Sequence, residues 1–230
     1  MNILITAGNT QTPIDRVRCI TNIFTGRTGA RIALEAWARG HAVTLLTSQP
    51  DTVAPGHGIA LKPYRTFDEL EAMLTELVPT GAFDAIIHSA AVSDYALAGV
   101  YSGSESELIG EPNSGKIKST HSELWMKLVP TPKLVDQMRG RWHFRGVLVK
   151  FKLEVGVSDT ELVAIAKRSR VQSDADFLVA NTLESYETDA WIVDRADSAS
   201  RVVRADLSKV LLDRIEQIFS APGSSEPSKM

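Results

Sequence analysis

The chain has 230 residues, a formal net charge of −3 and a single cysteine. The length suits one domain that buries most of its apolar surface, and one cysteine excludes both an intrachain disulfide and a cysteine-rich zinc site. Without long basic runs, the slightly acidic balance argues against nucleic acid or an anionic membrane as the main partner, so we expect a small-molecule ligand.

Residues 3–29 form the first candidate site, an apolar run followed by a long polar loop and the start of an amphipathic helix. The consecutive apolar residues Ile3 to Ile5 predict a strand buried on both faces. Gly8 and Gly26 allow the backbone to approach a ligand, and free amides at a helix start attract anions. Two interpretations stay open: a phosphate-binding loop, or glycines that serve only turns and packing, since they are too far apart for the compact dinucleotide fingerprint.

Strands and helices then alternate along the chain. Further strands are predicted at 42–46, 59–61, 84–88, 124–129, 147–153 and 177–180, with a peripheral hairpin at 190–193 and 201–204. Helices are predicted at 30–37, after capping boxes at Thr66 and Ser158, from Pro132 to Met138, and at 207–218. The pattern predicts an α/β fold, a Rossmann-like open, mostly parallel sheet with helices on both faces and a peripheral strand extension. We expect one domain over 1–219 and a disordered tail over 220–230.

A second candidate site follows the apolar strand 84–88. This strand runs into small residues and then Asp94, and ligands bind at the carboxyl ends of strands in open α/β sheets. The next segment, 97–119, is polar and rich in glycine, and a connection of this length predicts a flexible lid or a disordered insert. Lys116 and Lys118 near its end are read from the residues alone as solvated charges.

The sequence lacks the motifs that indicate secretion, metal binding or hydrolysis. The N-terminus shows no signal peptide or membrane anchor, which predicts a cytoplasmic location. The five histidines lack metal-ligand spacing, so no protein metal ligand is assigned, and no G-x-S-x-G elbow is present. We interpret His88 as a hydrogen-bonded structural residue and Cys19 as a small, half-buried side chain rather than a nucleophile.

Several motifs occur in a specific order over nearly the whole chain. They are Ile5-Thr6-Ala7-Gly8 with Thr10, Pro13-Ile14-Asp15, Val17-Arg18, Ile20-Thr21-Asn22, Thr25-Gly26 with Gly29, Ala90 to Tyr95, Lys116-Ile117, Thr131-Pro132, Phe151-Lys152-Leu153 and Val179-Ala180-Asn181. Together they resemble the phosphopantothenate-cysteine ligases of coenzyme A biosynthesis. The strand beginning at residue 2 and the segment 151–154 resemble the stand-alone form, so no flavin is expected.

The resemblance implies a reaction in two steps, in which 4'-phosphopantothenate is activated as an acyl-nucleotidylate by CTP or ATP with Mg²⁺ and is then joined to L-cysteine. It implies that Asn22 holds the activated carboxyl group and that Lys116 belongs to a mobile lid at about 97–119. The nucleotide-binding residues it implies are Gly8, Thr10, Thr25, Gly26, Ala90, Ala91, Asp94 and Thr131. Arg18 and Asn181 join Asn22 as substrate-binding residues. The resemblance also implies a homodimer, with the peripheral strands expected around 147–154 and 190–204 as candidate interface elements.

Three positions depart from the common pattern of these ligases. Asn9 and Lys150 stand where glycine is common, and Thr182 stands where aspartate is common. We expect a lysine at position 150 either to contact phosphate or to occupy ligand space. A divergent or non-catalytic nucleotide-binding homologue therefore stays open, as does an NAD(P)-dependent oxidoreductase, although Ser48 rather than an acidic residue follows the second strand.

Overall fold

The computed structural model describes residues 1–54, 57–103, 107–112 and 114–220. The strands are β1 Asn2–Ala7, β2 Gln11–Pro13, β3 Cys19–Thr21, β4 Ala42–Thr47, β5 Ala60–Pro63, β6 Ala85–His88, β7 Tyr95–Ser102, β8 Glu107–Gly110, β9 Trp125–Pro130, β10 Val147–Glu154, β11 Phe177–Thr182, β12 Asp189–Val193 and β13 Ala199–Val203. The α-helices are α1 Arg27–Ala38, α2 Phe67–Thr80, α3 Leu134–Gly140, α4 Asp159–Gln172 and α5 Leu207–Ser220, and a short 3₁₀ helix spans Pro50–Thr52.

An eight-stranded sheet forms the centre of the molecule, in the order β13-β12-β11-β10-β6-β1-β4-β5. The strands from β11 to β5 pair in parallel, whereas β12 and β13 add an antiparallel hairpin at one edge. The chain leaves β1 toward β4 and β5 and later returns to the other side of β1 with β6. This reversal of direction places a ligand-binding crevice at the carboxyl ends of β1 and β6.

Alternation along β1 explains how the sheet is covered on both faces. Ile3 and Ile5 pack in a core with α1 and α5, whereas Leu4 packs on the opposite face with α2 and α3. The helix α4 covers Leu178 and Ala180 on that second face. Burying each of these leucine and isoleucine side chains contributes about 1.5–3 kcal/mol, so both faces stabilise the sheet. The predicted α/β fold with helices on both faces and an edge extension is confirmed.

The capping boxes predicted at Thr66 and Ser158 are both present, and they open α2 and α4. The helix predicted to begin at Pro132 instead begins at Leu134. Thr131 explains the delay, because its backbone and hydroxyl donate to the carbonyls of Asp94 and Ser93 and hold the chain extended.

Strand β10 was expected at the periphery, and that placement is wrong. It lies inside the sheet and pairs with β6 on one side and β11 on the other. Its first four residues are buried, since it is covered on both faces as well as paired on both edges. Such a strand cannot add an edge to a partner, so residues 147–154 cannot form an interface by strand pairing.

Two segments expected to be irregular contain strands. The long loop after β1 includes the hairpin β2–β3, on which Cys19 is exposed rather than half-buried, because β3 pairs with β2 alone, outside the main sheet. In the segment 97–119, β7 and β8 join β9 in an antiparallel sheet of order β8-β7-β9. Residues 104–106 and 113 of the predicted lid lie outside the described residues. Ser220 ends α5, and residues 221–230 of the predicted tail also lie outside them.

None of the helices in the described ranges is long and apolar enough to span a membrane.

His88 should make the stability of the fold depend on pH. It is buried at the end of β6, where its Nδ1 lies 3.0 Å from Thr6 Oγ1, as expected for a structural histidine. Burial lowers its pKa from 6.5 to about 4, with the charge of Lys150 adding to the decrease and Asp136 opposing it. The unfolded chain therefore takes up a proton below pH 6.5 that the folded chain binds only near pH 4, so stability falls as pH decreases through this window.

We expect the His88 contribution to the free energy of unfolding to fall by about 3 kcal/mol across this window. Urea unfolding of the protein and of His88→Gln between about pH 7.5 and 4.5 measures it. The variant should lose less stability than the parent protein as the solution is acidified. Parallel pH profiles for the two proteins would contradict the assignment.

Candidate active site

A cavity of about 610 Å³ lies at the carboxyl ends of the central strands, where the strand order reverses. We call it the switch-point cavity. Six of the residues predicted from the sequence line it, namely Gly8, Thr25, Gly26, Ala90, Ala91 and Asn181. They come from the ends of β1, β6 and β11 and from the loop before α1, so the fold brings together positions that are far apart in sequence.

Gly8 and Gly26 are in contact, which explains glycines separated by a long loop. Both have left-handed backbone conformations, with φ of +87° and +76°. A Cβ atom on Gly26 would lie 2.3 Å from the Gly8 nitrogen, and one on Gly8 would lie 2.2 Å from Ser48 Oγ. No side chain fits at either position, and the start of α1 is thereby held against the end of β1. The amino end of α1, which no side chain caps, therefore lies at the cavity.

Asn22 is held on two sides. Its Nδ2 donates to the carbonyl oxygen of Ala91 over 3.1 Å, and its own carbonyl accepts from Asn9 Nδ2 over 2.6 Å. Asn9 is fixed in turn by Ser48, whose Oγ accepts from the Asn9 backbone and donates to its Oδ1. The residue that replaces a common glycine thus joins the Asn22 loop to the end of β4, and Asn22 itself stays exposed at the surface.

Thr10, Asp94 and Thr131 form a second group beside the cavity, joined through Ser93. The Thr10 hydroxyl is buried and accepts from the Ser93 backbone over 2.8 Å, and the Thr131 hydroxyl donates to the Ser93 carbonyl over 2.7 Å. Asp94 is exposed and pairs with Lys133. The cavity lining does not include these three residues. Their geometry ties the loop after β6 to the segment after β9.

Arg18 and the backbone of Ile117, which follows Lys116, meet at the buried carboxylate of Asp15. Asp15 accepts hydrogen bonds from the Arg18 guanidinium and from the backbone nitrogens of Val17, Arg18 and Ile117. The Arg18 guanidinium beside it, with these backbone donors, holds the pKa of Asp15 well below its usual range. Arg18 also donates to the Ile117 carbonyl over 2.9 Å, so the segment that carries the exposed Lys116 is fixed to the β2–β3 hairpin.

Lys150 neither contacts the cavity nor occupies it, so both expectations for this residue are wrong. Its Nζ donates to the Ser169 carbonyl and to Ser173 Oγ, and it lies 3.6 Å from a carboxylate oxygen of Asp136. Side chains alternate along β10, so Lys150 faces α3 and α4, whereas its neighbour Phe151 lines the cavity. Burial lowers the pKa of Lys150, and Asp136 opposes that decrease.

Thr182, the third departure, closes the turn after β11. Its hydroxyl lies 3.1 Å from Ser185 Oγ and accepts from the Ser185 backbone over 3.2 Å. This pairing explains how a threonine is accommodated where aspartate is common.

The cavity also contains residues that sequence reasoning did not select. Arg204, which follows β13, and Arg31 on α1 contribute to its wall, and Phe24 packs edge-on against Tyr186 with ring centroids 5.8 Å apart. No local motif marks these residues, because each becomes part of the site only through contacts across the fold. Within the described ranges, no group of three or more His, Cys, Asp and Glu side chains is placed to hold a metal ion.

We expect Asp15→Asn to release the segment that carries Lys116 and Ile117. An amide in place of the carboxylate removes the charge that Arg18 and the Ile117 nitrogen share, so the amides of Val17 and Ile117 should exchange with solvent faster. Hydrogen exchange measured by mass spectrometry tests this, with the exposed Asp51→Asn as the control. Unchanged exchange at Ile117 would show that the carboxylate does not hold this segment.

Comparison with known proteins gives consistent matches. The family described as DNA/pantothenate metabolism flavoprotein C-terminal domain matches residues 1–218. The coenzyme A biosynthesis bifunctional protein CoaBC of Thermococcus kodakarensis is 34% identical over 224 residues, which cover 94% of this chain and 51% of that protein. CoaBC of Escherichia coli is 30% identical over 182 residues, covering 79% of this chain and 41% of that protein. The chain thus spans about half the length of these relatives.

Solved structures agree with the fold. A DNA/pantothenate metabolism flavoprotein from Streptococcus pneumoniae superimposes with a TM-score of 0.82 at 29% identity, covering 95% of this chain and 99% of that chain. A Cab2 mutant in complex with phosphopantothenate-cysteine has a TM-score of 0.73 at 17% identity and shares the fold, covering 95% and 87% of the two chains. With a family match over nearly its whole length, this chain belongs to the DNA/pantothenate metabolism flavoprotein C-terminal domain family.

Proposed function

We propose that this protein is an amide-forming ligase that joins 4'-phosphopantothenate to L-cysteine through an acyl-nucleotidylate made from CTP or ATP. The observation that carries the proposal is the contact of Gly8 with Gly26, which places the amino end of α1 beside Asn22 and Ala91. Family membership supports it, as do the CoaBC relatives and a structural neighbour that binds phosphopantothenate-cysteine.

In the first step, a carboxylate oxygen of phosphopantothenate attacks the α-phosphorus of the nucleotide. The new bond joins this oxygen to phosphorus, and the bond from the α-phosphorus to the bridging oxygen breaks, so pyrophosphate leaves. Backbone amides at Gly26 and the start of α1 suit the negative phosphates, because a helix amino end carries partial positive charge. Fixed donors of this kind stabilise charge that develops in the transition state.

In the second step, the amine of cysteine attacks the acyl carbon, the carbon–oxygen bond to the nucleotide breaks, and the amine loses a proton as the amide forms. Asn22 is proposed to orient the acyl group, since an amide donates to a carbonyl oxygen without acting as a competing nucleophile. Its position depends on Asn9, which holds the Asn22 backbone. Arg18 and Asn181 are proposed to contact phosphopantothenate, although Arg18 also holds Asp15.

Mg²⁺ is part of the proposal as an ion carried mainly by the nucleotide phosphates, where it offsets their negative charge. Asp94, Thr10 and Thr131 are proposed to lie on the nucleotide side, on the loop that their hydrogen bonds tie to the segment after β9. No flavin is included in the proposal, and we propose a cytoplasmic location.

Within the lid expected at about 97–119, Lys116 is proposed to approach the nucleotide and close over it, while β7 and β8 stay paired in the small sheet. Closure would exclude water and so protect the acyl intermediate from hydrolysis. The exposed side chain of Lys116 is free to move, while Ile117 beside it stays fixed to Asp15.

Two observations weigh against the alternative functions. Lys150, which favoured a non-catalytic homologue, is directed away from the cavity by its bonds to Ser169 and Ser173. At the end of β4, where a nicotinamide enzyme carries an acidic residue, Ser48 is engaged with Asn9.

A homodimer is also part of the proposal, with the small sheet β8-β7-β9 as its interface. Strand β9 is exposed along its whole length and lies at an edge of this sheet. Large apolar side chains are exposed there, including Trp125, Met126 and Leu128 on β9 and Leu108 on β8. An exposed apolar edge strand favours association, and a second copy of the chain would cover it.

Release of pyrophosphate tests the ligase. We expect release from CTP or ATP to require phosphopantothenate and Mg²⁺, and the amide product to require cysteine. Nucleotide binding without release would instead indicate a non-catalytic protein, and binding of NAD(P) would indicate an oxidoreductase. Either outcome would overturn the proposal.

Variants of the two proposed catalytic residues complete this test. Asn22→Ala and Lys116→Ala should each lower turnover by about 10²- to 10³-fold, since each removes a positioned donor. Lys118→Ala is the matched control, because Lys118 is exposed on the same segment. If both variants stay folded by circular dichroism and turn over near normally, the site is assigned wrongly.

Light scattering tests the proposed dimer. We expect a dimer for the unaltered chain and a shift to monomer for Trp125→Glu, because a charge in an apolar interface is costly to bury. Val203→Glu changes an exposed residue on β13, within the region first expected from sequence, and should leave the dimer intact. Dissociation by Val203→Glu but not by Trp125→Glu would move the interface to the edge hairpin.

A further inference from the structure

Arg204 is a partly buried cation without a matching anion. It follows β13, and its side chain forms part of the wall of the switch-point cavity. One guanidinium nitrogen, Nη2, donates to the hydroxyl of Thr28 in the first turn of α1. The other, Nη1, is shielded from water and has no hydrogen-bond partner among the described residues.

Other arginines that are largely buried are paired with carboxylates. Arg39 lies 2.7 Å from Asp213, and Arg139 lies 2.8 Å from Asp176. Arg170 is likewise 2.9 Å from a carboxylate oxygen, that of Asp197. In the described ranges no ion pair joins Arg204 to a carboxylate, and burial together with the charge of Arg31 lowers its pKa. A desolvated charge is normally paired, so Arg204 calls for a partner from outside the chain.

The surroundings of Arg204 add positive charge. Arg27 and Arg31 on α1 line the same cavity, and no ion pair within the described chain neutralises either of them. The carboxylate on this wall, Glu187, accepts a hydrogen bond from the Tyr186 hydroxyl over 3.1 Å. Three guanidinium groups therefore lie around the amino end of α1, whose partial charge is also positive.

We infer that Arg204, with Arg27 and Arg31, forms a subsite for a phosphoryl group. Guanidinium groups bind phosphate oxygens through paired, charge-assisted hydrogen bonds, and the desolvation of Arg204 strengthens such bonds. The inference rests on the proposed function, which offers two sources of this chemistry, the triphosphate of the nucleotide and the 4'-phosphate of phosphopantothenate. The triphosphate is favoured, since Gly8, Gly26 and Arg204 line one cavity.

Calorimetric titration of the full chain tests the subsite, with inorganic triphosphate, CTP, CMP and phosphopantothenate as separate probes. Arg204→Gln should weaken the binding of inorganic triphosphate and CTP by about tenfold or more and leave that of CMP nearly unchanged. Arg204→Lys keeps the charge and should recover part of the affinity. Arg201→Gln is the matched control, because Arg201 on the same hairpin is exposed and paired with Asp189.

Selective weakening of phosphopantothenate binding would also support the subsite and would assign it to the 4'-phosphate. Unchanged binding of all four probes by folded Arg204→Gln, or equal weakening of CTP and CMP, would overturn it. Thermal unfolding supplies a check on folding, since removing an unpaired buried charge should leave the melting temperature of the free protein no lower. Inorganic triphosphate binds without turnover, so this test does not depend on the ligase assay. The subsite can be contradicted while the ligase activity is supported, and the reverse can also occur.

Discussion

The absence of side chains at Gly8 and Gly26 is the constraint on which the site depends. Their backbones touch, and a Cβ on either residue would overlap backbone or side-chain atoms at distances of 2.2–2.3 Å. This contact fixes the start of α1 against the end of β1, and it fixes where the Asn22 loop must return. Gly29 extends the same contact, because a Cβ there would lie 2.6 Å from both Ala7 Cβ and Ser89 Oγ. Strand β1, strand β6 and helix α1 are thereby joined at one point.

Much of the fold could be predicted because its signals are local. Ile3, Leu4 and Ile5 indicate a strand covered on both faces, and the capping boxes at Thr66 and Ser158 open helices as predicted. The hairpin β2–β3 and the strand β7 were not predicted, since their residues alternate weakly and gain their pairing from partners. The position of β10 inside the sheet was not predicted for a different reason, because sequence order does not give strand order.

The site was predictable where it depends on backbone and small residues, and not where it depends on long side chains. Gly8, Gly26, Ala90 and Ala91 lie at the cavity as the strand ends require. The side-chain directions of Lys150 and Asn9 were not accessible in this way. Whether a residue at a departing position enters a site is decided by the pleat of its strand and by the partners on each face.

Lys150 and Asn9 show two ways in which one fold absorbs a larger side chain in place of glycine. At Lys150 the pleat directs the cation into a pocket of oxygen acceptors formed by α3 and α4, which leaves the cavity unchanged. At Asn9 the side chain stays at the site, but it occupies the space between Ser48 and the Asn22 backbone and makes two hydrogen bonds there. Lys150 leaves the cavity unchanged because its side chain points away from it. Asn9 adds hydrogen bonds to the loop that the glycine contact positions. A chain of net charge −3 thus has a locally positive site, because Arg27 and Arg31 on α1 and Arg204 after β13 line the cavity that the glycine contact shapes.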